Sequence, residues 1–156
     1  MPKSDSKSLN LKEFLPYRLS IVTNKVSRNL GNMYSIKFNL SIAEWRVMAV
    51  LGQEKDLSAE DVCIKTEMDK VTVSRAVTKL LDKKHLDRKF SDEDRRRSIL
   101  RLSRAGGAIY AQIVPLALAY EGELLASLSR EEQQELEHLL DKLNLQATHL
   151  SESELV

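Results

Sequence analysis

The apolar residues of this 156-residue chain recur every three or four positions over most of its length, which is the spacing of one face of an α-helix. Six stretches show this spacing, and we expect helices at approximately 16–34, 42–52, 59–66, 70–82, 104–127 and 130–150. Between the fourth and fifth stretches, Leu86–Phe90 and Ser98–Leu102 have the composition and turn flanks of two short strands. The sequence therefore predicts a mainly helical fold with a small β-ribbon.

Short polar residues mark where several of these helices begin. At the start of three predicted helices a serine precedes an acidic residue by three positions, which is the capping-box spacing in which side chains and backbone amides satisfy each other. These pairs are Ser41–Glu44, Ser58–Asp61 and Ser129–Glu132. Asp69 is a suitable single cap for the fourth helix, and Ser103 for the fifth. Gly52 suits the C-terminal end of the second helix, and Asn10 and Glu13 predict a helical turn before the first.

The fourth helix has a polar face suited to double-stranded DNA. Its apolar face consists of Val73, Ala76, Val77, Leu80 and Leu81. The outward candidates for DNA contact are Lys70, Val71, Thr72, Ser74, Arg75 and Lys79. Arginine can read guanine, serine and threonine can reach base edges or phosphates, and a small apolar side chain can touch a thymine methyl. With the helix before it, this element forms a helix–turn–helix over 58–84. A merely solvated polar face is the alternative interpretation.

The ribbon that follows has a basic tip. Asp94 is followed directly by Arg95, Arg96 and Arg97. An exposed arginine on such a tip can enter a narrow minor groove, where the potential is most negative. A helix–turn–helix followed by a basic hairpin is the plan of a winged helix.

Charge is distributed unevenly along the chain. Its 24 Lys and Arg and 23 Asp and Glu give a net charge of +1. Residues 68–104 alone hold twelve basic and six acidic residues, so this segment carries +6 and the remainder carries −5. A basic segment within an acidic chain is the electrostatic footprint of a protein that binds a polyanion. A hairpin used only for contact with another protein would not need this charge.

Other chemistries find little support in the sequence. There is no apolar run of 18 residues and no secretory leader, so we expect a cytoplasmic protein. His85, His138 and His149 lack metal-ligand spacing, and no glycine-rich phosphate loop or nucleophile elbow occurs. We therefore expect no enzyme, no metal and no cofactor. The single cysteine, Cys63, is expected to be a structural residue, since free cysteine is often buried.

The first helix and the last two have more apolar surface than a small winged-helix core can use. We therefore divide the single chain 1–156 into dimerisation helices at 10–36 and 104–150 and a DNA-binding lobe at 41–103. A homodimer would match the two half-sites of a palindromic operator. Packing of these helices within one chain is the alternative.

With these features the chain resembles the MarR family of bacterial winged-helix transcription regulators. The likeness covers residues 14–145 and rests on LSIAEWRVMAVLG, on the helix–turn–helix ending in MDKVTVSRAVTKLLDKK, and on the wing DEDRRRSILRLS. It implies that Arg96, in a D-x-R motif that Asp94 begins, enters the minor groove while Asp94 supports the wing. The stretches FLPYRLS and EWRVMAVLG are also similar to a subgroup that controls the degradation of aromatic acids such as hydroxycinnamates.

The resemblance further implies a repressor that a small ligand releases from DNA. In the family, small anionic aromatic ligands lie between the dimerisation helices and the DNA-binding lobe. Tyr17, Arg18 and Arg46 are the candidates here for holding an aromatic carboxylate or its thioester, because arginine binds carboxylates well. Arg46 could instead pair with a surface acid. Two other functions stay open, a redox-sensing regulator acting through Cys63 and a winged-helix module of an enzyme complex.

Overall fold

The computed structural model describes residues 9–90 and 98–153, and its elements follow the predicted order. The helices are α1 (Leu15–Phe38), α2 (Ile42–Gln53), α3 (Ala59–Thr66), α4 (Lys70–Asp82), α5 (Arg104–Leu125) and α6 (Arg130–Ser153), and the strands are β1 (Leu86–Phe90) and β2 (Ser98–Leu102). The predicted fold class, mainly α with a small β-wing, is confirmed. None of the described helices combines the length and hydropathy that crossing a membrane requires.

Local capping sets most helix boundaries where the sequence predicts them. The serine hydroxyls of the three capping boxes accept the amide three residues later at 3.1, 3.1 and 3.2 Å, for Ser41, Ser58 and Ser129 respectively. The first helix is the exception, because it runs to Phe38 and not to about residue 34. It ends at Asn39 in the left-handed conformation, with φ 53°. Asparagine tolerates this conformation better than most residues, and the helix ends about four residues later than expected.

Gly52 does not end α2 as predicted. The helix continues to Gln53, and Glu54 caps it in an extended conformation. A Cβ atom on Gly52 would lie 2.4 Å from the ring of Tyr110 on α5. The glycine therefore serves the close approach of α5 to α2, a role that only the tertiary contact reveals.

One compact unit of the structure ends at Pro115, within α5. Its core draws side chains from α1 to α4, both strands and α5, and these are Tyr34, Leu40, Val47, Met48, Leu51, Val62, Val73, Ala76, Val77, Leu80, Leu86, Leu100 and Ile113. The predicted apolar face of α4 is buried in it, apart from Leu81, which is half-buried. Burying one such large aliphatic side chain stabilises the fold by roughly 1.5–3 kcal/mol, so α4 is held firmly by this face.

The wing strands pair antiparallel, with Leu86 opposite Leu102. Leu57, just before α3, pairs with Leu100 through N–O hydrogen bonds of 3.3 and 2.8 Å. Its neighbour Asp56 forms an ion pair with Arg101 of β2. This third segment, which the sequence did not predict, ties the base of the wing to the α2–α3 connection.

The second compact unit begins at Leu116. The side-chain amide of Gln133 donates to the carbonyl oxygens of Leu125 and Leu128 at 3.2 and 3.1 Å, which fixes the turn between α5 and α6. None of the residues of α6 is buried. Its exposed leucines are Leu136, Leu139, Leu140, Leu143, Leu145 and Leu150. The predicted apolar stripe is therefore present and uncovered in the single chain.

Candidate nucleic-acid interface

The N-terminal end of α4 is fixed by Asp69. Its carboxylate accepts hydrogen bonds from the Thr72 amide at 2.8 Å and from the Thr72 hydroxyl at 2.6 Å. These hydrogen bonds hold the pKa of Asp69 below its usual value. Because its hydroxyl proton is engaged in this way, Thr72 serves the cap as well as the outward face. The sequence had offered it only as a DNA contact.

The outward face of α4 is open to solvent. Lys70, Val71, Ser74, Arg75 and Lys79 are all exposed, and Val71 is 58 % exposed although it is apolar. The three cations among them form no ion pair with the acidic side chains that the structure describes. The predicted contact residues are thus brought to one surface with their charges free.

A buried ion pair anchors the C-terminal end of α4. The Lys83 ammonium lies 2.8 Å from a carboxylate oxygen of Glu44 and 2.6 Å from the Asn39 carbonyl oxygen. Glu44, only 2 % exposed, also accepts the Ser41 amide at 2.6 Å. Burial raises the pKa of Glu44, but the hydrogen bonds from Lys83 and Ser41 outweigh it and keep the pKa below its usual value. This pair joins the end of α1, the start of α2 and the end of α4.

A glycine lets α5 begin directly against the base of the wing. A Cβ atom on Gly106 would lie 1.9 Å from the His85 carbonyl oxygen. The same oxygen accepts the Ser103 amide at 3.0 Å, and the Ser103 hydroxyl accepts the Gly106 amide at 3.0 Å. Burial, and then the nearby charge of Lys83, lower the pKa of His85. The imidazole is therefore neutral at neutral pH and adds no positive charge to this surface.

The predicted contacts at the wing tip, Asp94, Arg95, Arg96 and Arg97, lie outside the described residues. The strand leading to the tip is described. On it, Arg88 and Lys89 are exposed, so the basic surface of α4 continues onto β1.

The residues expected to hold a ligand lie at two separate places in the chain. Tyr17 and Arg18, near the start of α1, line a surface hollow of about 240 Å³. Arg46 on α2 is exposed, and its guanidinium lies 3.4 Å from the Ser27 hydroxyl. Ser27 is about 15 Å further along α1 than Tyr17, at the rise of an α-helix. Arg46 contacts this hydroxyl and no described surface acid.

Trp45 and Cys63 take structural positions. The Trp45 ring lies 5.2 Å from that of Tyr34 and 5.7 Å from that of Tyr110, so it packs between helices. Cys63 on α3 is half-buried and packs against the core, as expected of a structural cysteine. Across residues 9–90 and 98–153, no group of three or more His, Cys, Asp or Glu residues is placed to hold a metal ion.

A helix–turn–helix with an exposed basic second helix, followed by a hairpin tied to the segment before α3, defines a winged-helix DNA-binding protein. Comparison with known proteins shows which winged-helix proteins this chain is similar to. Residues 38–97 match the model of the MarR family. The regulator MgrA of Staphylococcus aureus is 26% identical over 134 residues, which span 86% of this chain and 90% of MgrA.

Solved structures agree. A MarR/EmrR family transcriptional regulator from Acinetobacter sp. ADP1 has a TM-score of 0.84 and 28% identity, covering 90% of this chain and 99% of that one. BpsR of Bordetella bronchiseptica, whose DNA binding is regulated by 6-hydroxynicotinic acid, has a TM-score of 0.80 over 88% of this chain and 97% of its own. At 22% identity that second likeness concerns the fold alone. By these matches the chain is similar to MarR-family transcriptional regulators in sequence and in fold, and the relatives compared are transcriptional regulators.

Proposed function

We propose that this regulator is a homodimeric repressor that binds a palindromic operator in the cytoplasm and is released by a small aromatic acid or its thioester. The observation that carries the proposal is the exposed basic face of α4, whose opposite face is buried in the core. A helix held in this way can enter the major groove without rearranging, since its exposed side chains alone meet the DNA.

Within this proposal the residues of α4 have different tasks. Arg75 is the expected base reader, because its exposed guanidinium can bond two acceptors of one guanine. Lys70 and Lys79 serve phosphates, and Ser74 reaches a phosphate or a base edge. Val71 meets a thymine methyl, which accounts for an apolar side chain left in solvent. Thr72 stabilises the start of α4 through its hydrogen bonds to Asp69, and its hydroxyl oxygen can still accept a hydrogen bond from the DNA.

The wing tip supplies the second set of proposed contacts. Arg96 enters the minor groove, Asp94 fixes the turn, and Arg95 and Arg97 serve phosphates or brace the hairpin. Support comes from the charge of the sequence and from the strands below the tip, which are tied to the helical lobe through Leu57. A wing fixed at its base can direct a tip arginine repeatedly to the same groove position.

The proposed dimer rests on apolar surface that a single chain leaves uncovered. The leucines of α6 form one such surface, and α1 exposes Leu15, Leu19 and Val22. Contiguous apolar surface of this kind on a soluble domain marks an interaction site. A second copy is the occupant that a two-fold operator requires, since both half-sites must be met at a fixed spacing.

The proposed ligand assignment for Tyr17, Arg18 and Arg46 also needs a second copy. Because Tyr17 and the Ser27 partner of Arg46 stand about 15 Å apart along α1, one chain does not bring these side chains around one small molecule. A partner's α1 could complete the cleft. BpsR supports an aromatic acid as effector, since a hydroxylated aromatic acid regulates that protein on the same fold.

The test is a selection of bound sequences from random duplexes at moderate salt, followed by sedimentation of the selected complex. We expect a palindrome that binds two copies of the chain. Addition of a hydroxycinnamate or benzoate to the complex should then release the DNA. A full reversal from mostly bound to mostly free needs about 10⁴-fold preference of the ligand for one state. A single asymmetric site occupied by one copy would refute the dimeric repressor.

A further inference from the structure

The side chain of Lys83 ties the end of α4 to the end of α1. Lys83 directly follows the last residue of α4, and its ammonium donates to the carbonyl oxygen of Asn39 at 2.6 Å. Asn39 is the residue that ends α1 in the left-handed conformation. This hydrogen bond therefore joins a helix of the proposed dimer to the helix proposed to enter the DNA, across 44 residues of sequence.

The Lys83 ammonium is held in this position from a second side. A carboxylate oxygen of Glu44 lies 2.8 Å from it, and the other carboxylate oxygen accepts the Ser41 amide at 2.6 Å. The Glu44 side chain is only 3% exposed. Movement of the ammonium would leave this buried carboxylate unpaired, which is strongly unfavourable. Lys83 is therefore clamped between the start of α2 and the end of α1.

The apolar contacts around this hydrogen bond have a different physical character. Tyr34, near the end of α1, is buried and packs against Trp45 of α2, and α4 buries its apolar face in the same core. Apolar burial is non-directional, and packed helices can slide past each other by small amounts. A charge-assisted hydrogen bond is short and directional. We therefore expect Lys83 to fix the orientation of α4 relative to α1.

We propose that Lys83 is a positioning residue that fixes the spacing between the two half-sites of the operator. This inference rests on the proposed function, in which α1 contributes to the dimer and α4 enters the major groove. The dimer interface sets where the two copies of α1 lie, and Lys83 transmits that setting to α4. One added base pair between the half-sites moves one of them by about 3.4 Å and turns it by about 35°. A small rotation of α4 against α1 thus decides whether the second half-site is met.

The test compares operators that differ only in the spacer between the half-sites. Duplexes carry the half-sites that the wild type selects, with the selected spacer or with one base pair more or fewer, and are titrated with the full chain. The wild type should lose roughly tenfold or more in affinity on the altered spacers, the usual cost of a mismatched base pair. Lys83→Met should lose less than half as much on a logarithmic scale, with unchanged base preference within each half-site. Equal losses for the two proteins would overturn the proposal.

Two control variants separate positioning from stability and from charge. Glu44→Gln removes the same ion pair but leaves the Lys83 ammonium free to donate to Asn39, and the glutamine oxygen can still accept the Ser41 amide. It should keep the spacer preference of the wild type although its stability falls. Lys84→Gln removes an equal charge from the exposed neighbouring position and should also keep that preference. Relaxed spacing in either control would mean that Lys83 has no positioning role of its own.

The double variant Lys83→Met/Glu44→Gln keeps the test decisive even if Lys83→Met alone fails to fold, because it leaves no buried charge unpaired. It should tolerate altered spacers as Lys83→Met does. Sedimentation at the assay concentration checks that each variant is a dimer before the titration. A wild type that selects no palindrome refutes the dimeric repressor and this proposal with it. A palindrome whose spacer the wild type and both Lys83 variants require equally refutes this proposal alone.

Discussion

Gly106 and Gly107 provide a matched pair of substitutions at the start of α5. Replacement of a helical glycine by alanine normally stabilises a protein by roughly 0.5–1 kcal/mol, because the unfolded chain loses freedom. At Gly107 the new methyl group meets no atom within 4 Å, so Gly107→Ala should show this gain. At Gly106 it would lie 1.9 Å from the carbonyl oxygen of His85, which is backbone and cannot rotate away.

Gly106→Ala must therefore shift α5 away from the wing base and strain the hydrogen bond from Ser103 to His85. Overpacking of this kind costs about 1–3 kcal/mol, which exceeds the alanine gain. We expect urea midpoints to fall in the order Gly107→Ala, wild type, Gly106→Ala. All three are measured at one protein concentration, because the stability of the proposed dimer would depend on that concentration. DNA affinity should fall only for Gly106→Ala. Equal midpoints for the two alanine variants would refute the close contact between α5 and the wing base.

Five further substitutions test α4, the ion pair at its C-terminal end and the tip of the wing. Arg75→Ala should relax base choice at one position per half-site, at a cost of roughly 1–3 kcal/mol in binding free energy, which selection of bound sequences measures. Lys79→Ala should weaken the binding of all DNA sequences alike and reduce the salt dependence of the binding constant by about one unit, which a salt titration measures. Lys83→Met should lower stability by about 3 kcal/mol. In the wild type the contribution of its partner carboxylate is full above the unfolded pKa and is lost as the pH falls through the lower folded pKa. The stability difference between this variant and the wild type should therefore shrink as the pH falls, which urea unfolding at several pH values measures. Asp94→Ala should weaken DNA binding although it removes a negative charge, and Arg96→Ala should lose most affinity on operators with A·T-rich flanks. Tighter binding by the Asp94→Ala variant would mean that the wing tip is only a nonspecific basic contact.

The sequence predicted the elements well because their causes are local. Capping boxes involve residues three apart, and the apolar face of α4 follows from helical periodicity alone. The misplaced end of α1 and the misread Gly52 have a different cause. Asn39 can end a helix in the left-handed conformation without a glycine. Gly52 is required by the close approach of the Tyr110 ring, 58 residues further along the chain. No local pattern contains that second contact.

The candidate site divides in the same way. Which residues of α4 face outward could be predicted, since each position follows from its neighbours on the helix. How the helix is held could not, because Lys83 and Glu44 are 39 residues apart and Arg101 and Asp56 are 45 apart. The pairing of Leu57 with Leu100 carries no sequence signal either, since two single leucines form no alternating strand.

The Lys83–Glu44 and Arg101–Asp56 ion pairs differ in how far they are exposed to solvent. The side chains of Lys83 and Glu44 are 27% and 3% exposed, whereas those of Arg101 and Asp56 are 39% and 47% exposed. An exposed pair contributes about 0–1 kcal/mol and is screened by salt, while removing one partner of a buried pair costs several kcal/mol. With Asp69 capping its other end, α4 is therefore fixed at both ends, whereas the Arg101–Asp56 pair is the weaker of the contacts that join the wing to the lobe, beside the Leu57–Leu100 hydrogen bonds. Under the proposed function, we therefore expect a change that loosens this lobe to alter the wing before it alters α4.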